Sequence, residues 1–328
     1  MIGTSRRAGV ALAIGVGVAL AATGCGSSSG KSASAGHESI TMITGVKSDP
    51  FYITMTCAAQ AEAKAKGISF TGEGSAQWDV SVQRPLIDSV AASKPGGLLI
   101  SPVDTSALTP SLKQIQSSGT KIGLVDTSVT DPSVGITRIS SDNLKGGQVA
   151  ADALAQQMGG KGSVVVISVQ PGVSTTDARI QGFTQEMAAK YPGIKVLPTL
   201  YDNDLPATAA SQTESTLAAH PDLGGVFAAN TNTAQGVATG LKQAGRQSAV
   251  KVVAFDAEPA EVAALQAGTI QVLVAQDPAA IGKEGVDQLA AAFAGKPVTA
   301  QIGTTMVAIT AQNLSNPAIS KYIYKSAC

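Results

Sequence analysis

Histidine is almost missing from this chain: among 328 residues only His37 and His220 carry an imidazole. Cysteine is scarce too, at positions 25, 57 and 328, so no His/Cys cluster of the kind a zinc site needs can be read from the sequence. Net charge is absent, with 23 basic residues against 23 acidic, which leaves no basic face for nucleic acid or anionic lipid. No Gly-x-Gly-x-x-Gly joins a first strand to its helix, no Gly-x-x-x-x-Gly-Lys-Ser/Thr loop occurs, and no Gly-x-Ser-x-Gly elbow stands between a strand and a helix. Cofactor-dependent and nucleophilic chemistry on a doubly wound sheet therefore lack their usual signatures, and neither a cofactor, a metal nor a catalytic residue is expected.

Long apolar runs are also lacking. The longest near the start, Ala8 to Ala22, falls short of the roughly 20 residues a spanning helix needs. It follows Arg6-Arg7 and ends in small residues before Cys25, a secretory pattern that places the signal at 1–24 and the mature chain outside the cytoplasm. The order Ala22-Thr23-Gly24-Cys25 resembles a bacterial lipobox, with Ala22 where leucine is usual, and the resemblance implies a lipidated Cys25 as the new N-terminus. An ordinary signal cut near Ala22 is the alternative, and Arg6-Arg7 leaves general or twin-arginine export open. The Ser-, Gly- and Ala-rich stretch at 25–38 buries too little to fold and reads as a flexible tether. With Cys25 lipidated, Cys57 and Cys328 remain as a pair in an oxidising compartment, where a disulfide is the expectation and two independent thiols the alternative.

About 290 residues are left for one large or two ordinary domains. From Ser39 onward, apolar β-rich runs alternate with segments of helical period. The strand candidates are 40–46, 68–74, 96–102, 121–127, 136–141, 163–169, 194–202, 223–230, 250–257 and 270–276; helices are expected at 51–66, 80–93, 106–118, 143–158, 178–190, 206–219, 232–244 and 278–294. Strand then helix, repeated, means α/β architecture with parallel sheets and right-handed crossovers. Ten strands are many for one open sheet. The link "SVTDPSV" between the two strands of 121–141 is too short for a crossover helix, which places the passage to a second sheet there.

Polar residues gather just after the strands: Ser101 and Asp104, Asp126, Ser141 to Asn143, Asp202 to Asp204, Asn230, Asp256 and Gln276. Ligands of open parallel sheets bind at the carboxyl ends of the strands, so polar ends in both halves imply one cleft between two facing sheets.

The blocks "KSDPFYITM", "GGLLISPVDTSAL", "KIGLVDT", "RISSDNLKGG", "DARIQGF", "YDND", "HPDLGGVFAANTNTAQG", "VVAFDAEP" and "VLVAQDPAAIG", in this order and spacing, resemble the ribose/galactose-type periplasmic binding proteins, the substrate receptors of sugar ABC importers. The resemblance implies two doubly wound lobes joined by a three-segment hinge: 39–141 with 277–305, and 142–276 with 306–312, followed by a tail at 313–328 that could bring Cys328 to Cys57. It also implies a monomer that binds a monosaccharide, pentose-like, or a sugar alcohol and delivers it to permease subunits in the membrane, with no nucleic acid among its partners. Carried over by position, Asp126, Arg179, Asn230, Asp256 and Gln276 match the family's polar ligand contacts, and Phe51 and Phe255 its aromatic ones. Tyr52, Ser101, Thr127, Ser141 and Asn203 occupy ligand-facing positions with changed chemistry.

These residue types suit a polyol. Asp126 and Asp256 can accept from hydroxyls, Arg179 can donate in a fork, and Asn230 and Gln276 can do both. Aromatic rings would cover the C–H face of the ligand, Phe51 and Phe255 first, while Trp78 is expected to serve packing. The competing readings are structural: Asp126 and Asp256 as turn residues, Asp142 as a helix cap, Phe51 and Phe255 as core, and Arg179 paired with Asp177 or Glu186 on a solvated face. Rival functions are a chemoreceptor or quorum-signal receptor with a non-sugar ligand on the same scaffold and an α/β enzyme. A lactose-repressor-type regulator would need a DNA-reading segment where the secretion signal stands.

Overall fold

The computed structural model describes residues 38–328. The expected signal at 1–24, the lipidated Cys25 and all but the last residue of the tether lie outside these residues.

The first sheet takes β1 (Ser39–Thr44), β2 (Ser69–Gly74), β3 (Gly97–Ile100), β4 (Lys121–Val125) and β5 (Thr137–Ser141), with helices α1 (Pro50–Ala65), α2 (Val80–Ser93) and α3 (Thr109–Ser117) between the first four. All its pairings are parallel, in the order β2-β1-β3-β4-β5. β4 and β5 are neighbours in this one sheet, so the passage to the second sheet comes after β5 rather than inside 121–141. The helix-free connection 126–136 suffices because it climbs back along one edge of β4, with the Ile136 N–H bonded to the Ile122 carbonyl at 2.7 Å.

The second sheet repeats the pattern. It contains β6 (Gly162–Ser168), β7 (Ile194–Val196), β8 (Leu200–Tyr201), β9 (Leu223–Ala228), β10 (Lys251–Phe255) and β11 (Val272–Ala275), interleaved with α4 (Asn143–Met158), α5 (Ser174–Lys190), α6 (Pro206–Ala219), α7 (Thr231–Gln243) and α8 (Pro259–Gln266). The run 194–202, read as one strand, is two: β7 and β8 each pair with β6, and Pro198, which has no N–H to give the ladder, falls between them. α8 was not anticipated. It is started by a capping box in which Glu258 and Glu261 satisfy each other's backbone, a signal readable at that spacing.

The chain then returns. α9 (Pro278–Phe293) packs on α1 and on β4 and β5 of the first sheet, and β12 (Gln301–Thr304) extends that sheet beside β5. β13 (Val307–Ile309) adds an antiparallel edge to the second sheet beside β11. Passages between the sheets therefore lie after β5, after β11 and after β12. The tail, with the short α10 (Pro317–Ser320), touches both halves: the Tyr324 N–H bonds the Ala257 carbonyl at 3.0 Å, and the Lys325 N–H bonds Thr54 Oγ1 at 2.7 Å.

Why these segments fold so is local. α1, α4 and α9 begin at Asp49, Asp142 and Asp277, whose carboxylates accept backbone N–H groups of the first turn. The strands are apolar on both faces because helices cover both; β3 and β11 are buried at every residue. One close approach matters for function. Gly147 on α4 sits against the Arg179 carbonyl of α5, and Gly182 on α5 against the Leu144 carbonyl of α4, where any side chain would collide with backbone. The two helices can therefore touch along their backbones, and Arg179 is carried to the amino end of α4.

Candidate functional site

Asp126 follows β4 in the first sheet and Asp256 follows β10 in the second. Both backbones turn into the left-handed region, φ 64° and 86°, while each N–H still bonds the neighbouring strand, to the Ile139 carbonyl at 2.8 Å and the Val274 carbonyl at 2.9 Å. Such a conformation costs a residue with a Cβ about 1–3 kcal/mol and persists where the surroundings enforce it. Here it swings a carboxylate off the end of each sheet into one gap.

That gap is walled by Asp49, Phe51, Tyr52, Trp78 and Asp126 from the first half, and by Val169, Val173, Thr175, Thr176, Arg179, Asp204, Asn230, Asp256 and Gln276 from the second. Its free space is about 400 Å³ with the solvent-facing mouth included, of which about 40 Å³ admits the centre of a water-sized sphere. The walls stand close together. At its rim the halves touch directly: Thr105 N–H bonds the Gly172 carbonyl at 3.1 Å, and Ser128 N–H bonds Ser174 Oγ at 2.9 Å.

Seven of the twelve expected ligand residues meet in this gap: Phe51, Tyr52, Asp126, Arg179, Asn230, Asp256 and Gln276. The other five do not line it. Ser101 is fully buried beneath it; Thr127 donates to the Pro102 carbonyl at 2.8 Å; Ser141 shares a hydrogen bond with Thr304 Oγ1 at 3.2 Å between two of the passages. Of these hydroxyls, Thr127 meets a backbone carbonyl, Ser141 the side chain at the end of β12, and Ser101 Oγ no partner among the described residues. Asn203, φ 56°, lies in the turn before Asp204 and faces an adjoining surface groove. Phe255 is a floor: its ring carries the Arg179 guanidinium at 3.7 Å and packs against Gly146.

Arg179 is 3% exposed and is not the open fork the sequence reading expected. Nε donates to Asn143 Oδ1 at 2.8 Å and Nη1 to the Ala229 carbonyl at 2.7 Å, with Asp256 Oδ2 3.9 Å away. The pairing with Asp177 or Glu186 does not form; Asp177 instead accepts from the Gly172 N–H at 2.9 Å. Asn230 is likewise committed, donating to Asp204 Oδ1 at 2.6 Å and accepting from Thr233. Gln276 donates through Nε2 to Asp256 Oδ1 at 2.7 Å, which leaves its buried Oε1 with no partner among the described residues. Tyr52 donates to Asp126 Oδ2 at 2.7 Å.

The other seven lining residues were not among the expected contacts: Val169, Val173, Thr175 and Thr176, and with them Asp49, Asp204 and Trp78. Asp49 caps α1 through Phe51 N–H at 2.8 Å, and its place just before a Pro-led helix carries a capping signal and no ligand signal. Asp204 sits beside the expected Asn203, and only the turn's geometry decides which of the two faces inward. Trp78, expected to serve packing, also lines the gap, its ring near-parallel to Tyr52 at 6.3 Å.

Burial shapes the electrostatics. Asp126 is pushed up to about 6 by loss of hydration, with Arg179 and the Tyr52 hydroxyl holding it from going further. Asp204 is likewise pushed up to about 6 by burial against the pull of Asn232 and Asn230. Asp49 is raised well above the usual range by burial and then by the charge of Asp256. The gap thus offers carboxylate and amide oxygens as acceptors, one buried cation and three aromatic rings. Among the described residues, no three His, Cys, Asp or Glu side chains are placed to hold a metal ion.

Residues 40–297 match the family described as periplasmic binding protein domain. The chain is 28% identical over 265 residues to the ribose import binding protein RbsB of Escherichia coli strain K12, covering 80% of this chain and 88% of that protein. It is 25% identical over 275 residues to the D-apiose import binding protein of Paraburkholderia graminis, covering 82% and 86%. Among solved structures, an ABC transporter solute-binding protein from Agrobacterium vitis bound with alpha-D-tagatopyranose superposes with a TM-score of 0.86 at 40% identity, over 88% of this chain and 99% of that one. A carbohydrate transporter solute-binding protein from Agrobacterium radiobacter in complex with D-arabinose gives 0.84 at 29% identity, over 88% and 100%.

Proposed function

Because the chain belongs to the periplasmic binding protein domain family, a family of substrate-binding proteins rather than enzymes, we propose that it is the extracytoplasmic receptor of a sugar ABC importer, closing over a monosaccharide or sugar alcohol. The observation that carries this reading is the convergence of Asp126 and Asp256, one from each sheet, on a gap with three rings and an unpartnered Gln276 Oε1. A sugar hydroxyl is donor and acceptor at once, and loses strong bonds to water when enclosed. Acceptors fixed in place replace those bonds, and rings replace contact with the apolar C–H face. A missing hydroxyl leaves a buried acceptor unpaired at about 1–3 kcal/mol, which makes the site selective.

The same geometry supports closure of the two bodies on the ligand. The bodies 39–141 with 277–305 and 142–276 with 306–312 turn about the three passages, and a ligand held from both sides stabilises the closed arrangement for the permease to read. The receptor works as a monomer, the mature chain is held at the membrane by lipid on Cys25, and Cys57 is bridged to Cys328. Replacing Cys25 by alanine should move the protein from the membrane to the soluble fraction.

Titration calorimetry against D-tagatose, D-ribose, D-arabinose, D-fucose, D-allose and their alditols tests the reading. At least one is expected to bind at micromolar Kd or tighter, and Asp256→Ala to weaken it by 100-fold or more. Binding of a furanosyl signalling compound or a nucleoside in place of every sugar would overturn it in favour of a signal receptor.

A further inference from the structure

Tyr324 belongs to the tail, past every strand of either sheet, yet it is 3% exposed and buried directly behind the gap. We propose that Tyr324 is a positioning residue for sugar capture: its hydroxyl fixes Asp256 and Gln276 in the pose that meets the ligand. This rests on the reading of the gap as a sugar site.

The Tyr324 hydroxyl donates to Asp256 Oδ1 at 2.9 Å and accepts the backbone N–H of Gln276 at 3.0 Å. Burial and the charge of Asp256 hold the phenol well above its ordinary range, so it stays a donor. Gln276 Nε2 also donates to Oδ1, at 2.7 Å, so that oxygen is taken twice. Asp256 Oδ2 is the less committed, with a long bond from Thr231 at 3.3 Å and Arg179 Nη1 at 3.9 Å. Gln276 Oε1, on the same amide, has no partner among the described residues. One hydroxyl therefore holds both a carboxylate on a left-handed backbone and the chain at the passage after β11.

The tail gives this contact a fixed base. Tyr324 N–H is bonded to Ala257 of the second half, and the next residue, Lys325, to Thr54 on α1 of the first. The Tyr324 ring meets Phe51, another gap residue on α1, edge-on at 5.7 Å, and Cys328 ends beside Cys57 on the same helix. Removing the hydroxyl would release Asp256 to turn and leave the Gln276 N–H buried without its acceptor.

Tyr324→Phe removes one oxygen and keeps the ring against Phe51. Whichever of D-tagatose, D-ribose and D-arabinose the wild type binds most tightly is expected to bind Tyr324→Phe at least 10-fold more weakly, with the ligand-free melting temperature lower by only a few degrees. A merely structural role would lower the melting temperature and leave Kd unchanged. In an Asp256→Ala background, measured at millimolar sugar, adding Tyr324→Phe should cost clearly less than it costs the wild type, because only the hold on the Gln276 N–H is then left to lose. Equal affinity of Tyr324→Phe and wild type, or two losses that simply multiply, would overturn the proposal. If the wild type binds none of the sugars, the sugar reading falls and this role with it; if it binds one and Tyr324→Phe binds as well, only the role of Tyr324 is withdrawn.

Discussion

At the scale of single residues, the gap holds acids whose protonation favours folding and opposes sugar binding. Asp126 and Asp204 ionise near 6 in the folded chain, above the ordinary 3.8. A raised carboxylate favours the folded state fully below its unfolded value, and that contribution is lost as pH rises through about 6. Hydroxyl binding runs the other way, since an ionised acceptor makes the stronger bond. Lowering pH from 7.5 to 5 should thus weaken sugar binding several-fold, while these two groups contribute added stability to the ligand-free protein. Calorimetric Kd and melting temperature at matched pH check the pair of signs; a flat Kd across that range would remove Asp126 from the contact set. Sequence reasoning found Asp126 and Asp256 because strand ends are readable from apolar runs. It could not find that Arg179 spends Nε and Nη1 on Asn143 and Ala229, because both partners arrive from distant parts of the chain.

At the scale of elements, the contact of α4 with α5 decides where that guanidinium sits. Gly147 and Gly182 face backbone carbonyls across the contact. Gly182→Ala puts a methyl into the Leu144 carbonyl, an overpacking worth about 1–3 kcal/mol. The expected result is a melting temperature lower by several degrees together with weaker sugar binding, because Arg179 and Asn143 shift with their helices. Normal affinity at reduced stability would mean that Arg179 tolerates the displacement. Most elements were legible, for a plain reason: buried parallel strands are continuous apolar runs, and the helices between them keep their own period. The exceptions are instructive. Pro198 divides 194–202 because a missing N–H outweighs an apolar run, and α8 is hidden because eight residues hold too little of the helical period to stand out.

At the scale of the whole molecule, the halves are coupled at the rim and through the tail. The Ser128 N–H to Ser174 Oγ bond crosses the gap's edge at 2.9 Å. A bond of this kind contributes about 1 kcal/mol net, so Ser174→Ala should raise the sugar dissociation rate by roughly 3- to 10-fold, with little change in association, in stopped-flow fluorescence of Trp78. An unchanged dissociation rate would show that closure does not depend on this bond. Cys57 and Cys328 lie 271 residues apart with Cα atoms 5.3 Å apart. Closing so long a loop restrains the unfolded chain by up to about 5 kcal/mol, and an engineered loss of both cysteines should lower the melting temperature by several degrees. An intact-mass difference of about 2 Da between reduced and untreated protein would report the bond itself; no difference would mean two free thiols.

By itself the sequence determined the alternation of strand and helix, hence parallel sheets with polar residues at their carboxyl ends, because apolar periodicity and capping are local properties of a chain. It also determined the chemistry on offer: acceptors, one arginine and a few rings. Only the tertiary structure decided which of those groups share one gap, which are spent on one another, and that Tyr324, from the far end of the chain, stands behind Asp256. Those relations depend on where separate segments come to rest in space, and no spacing along the chain records that.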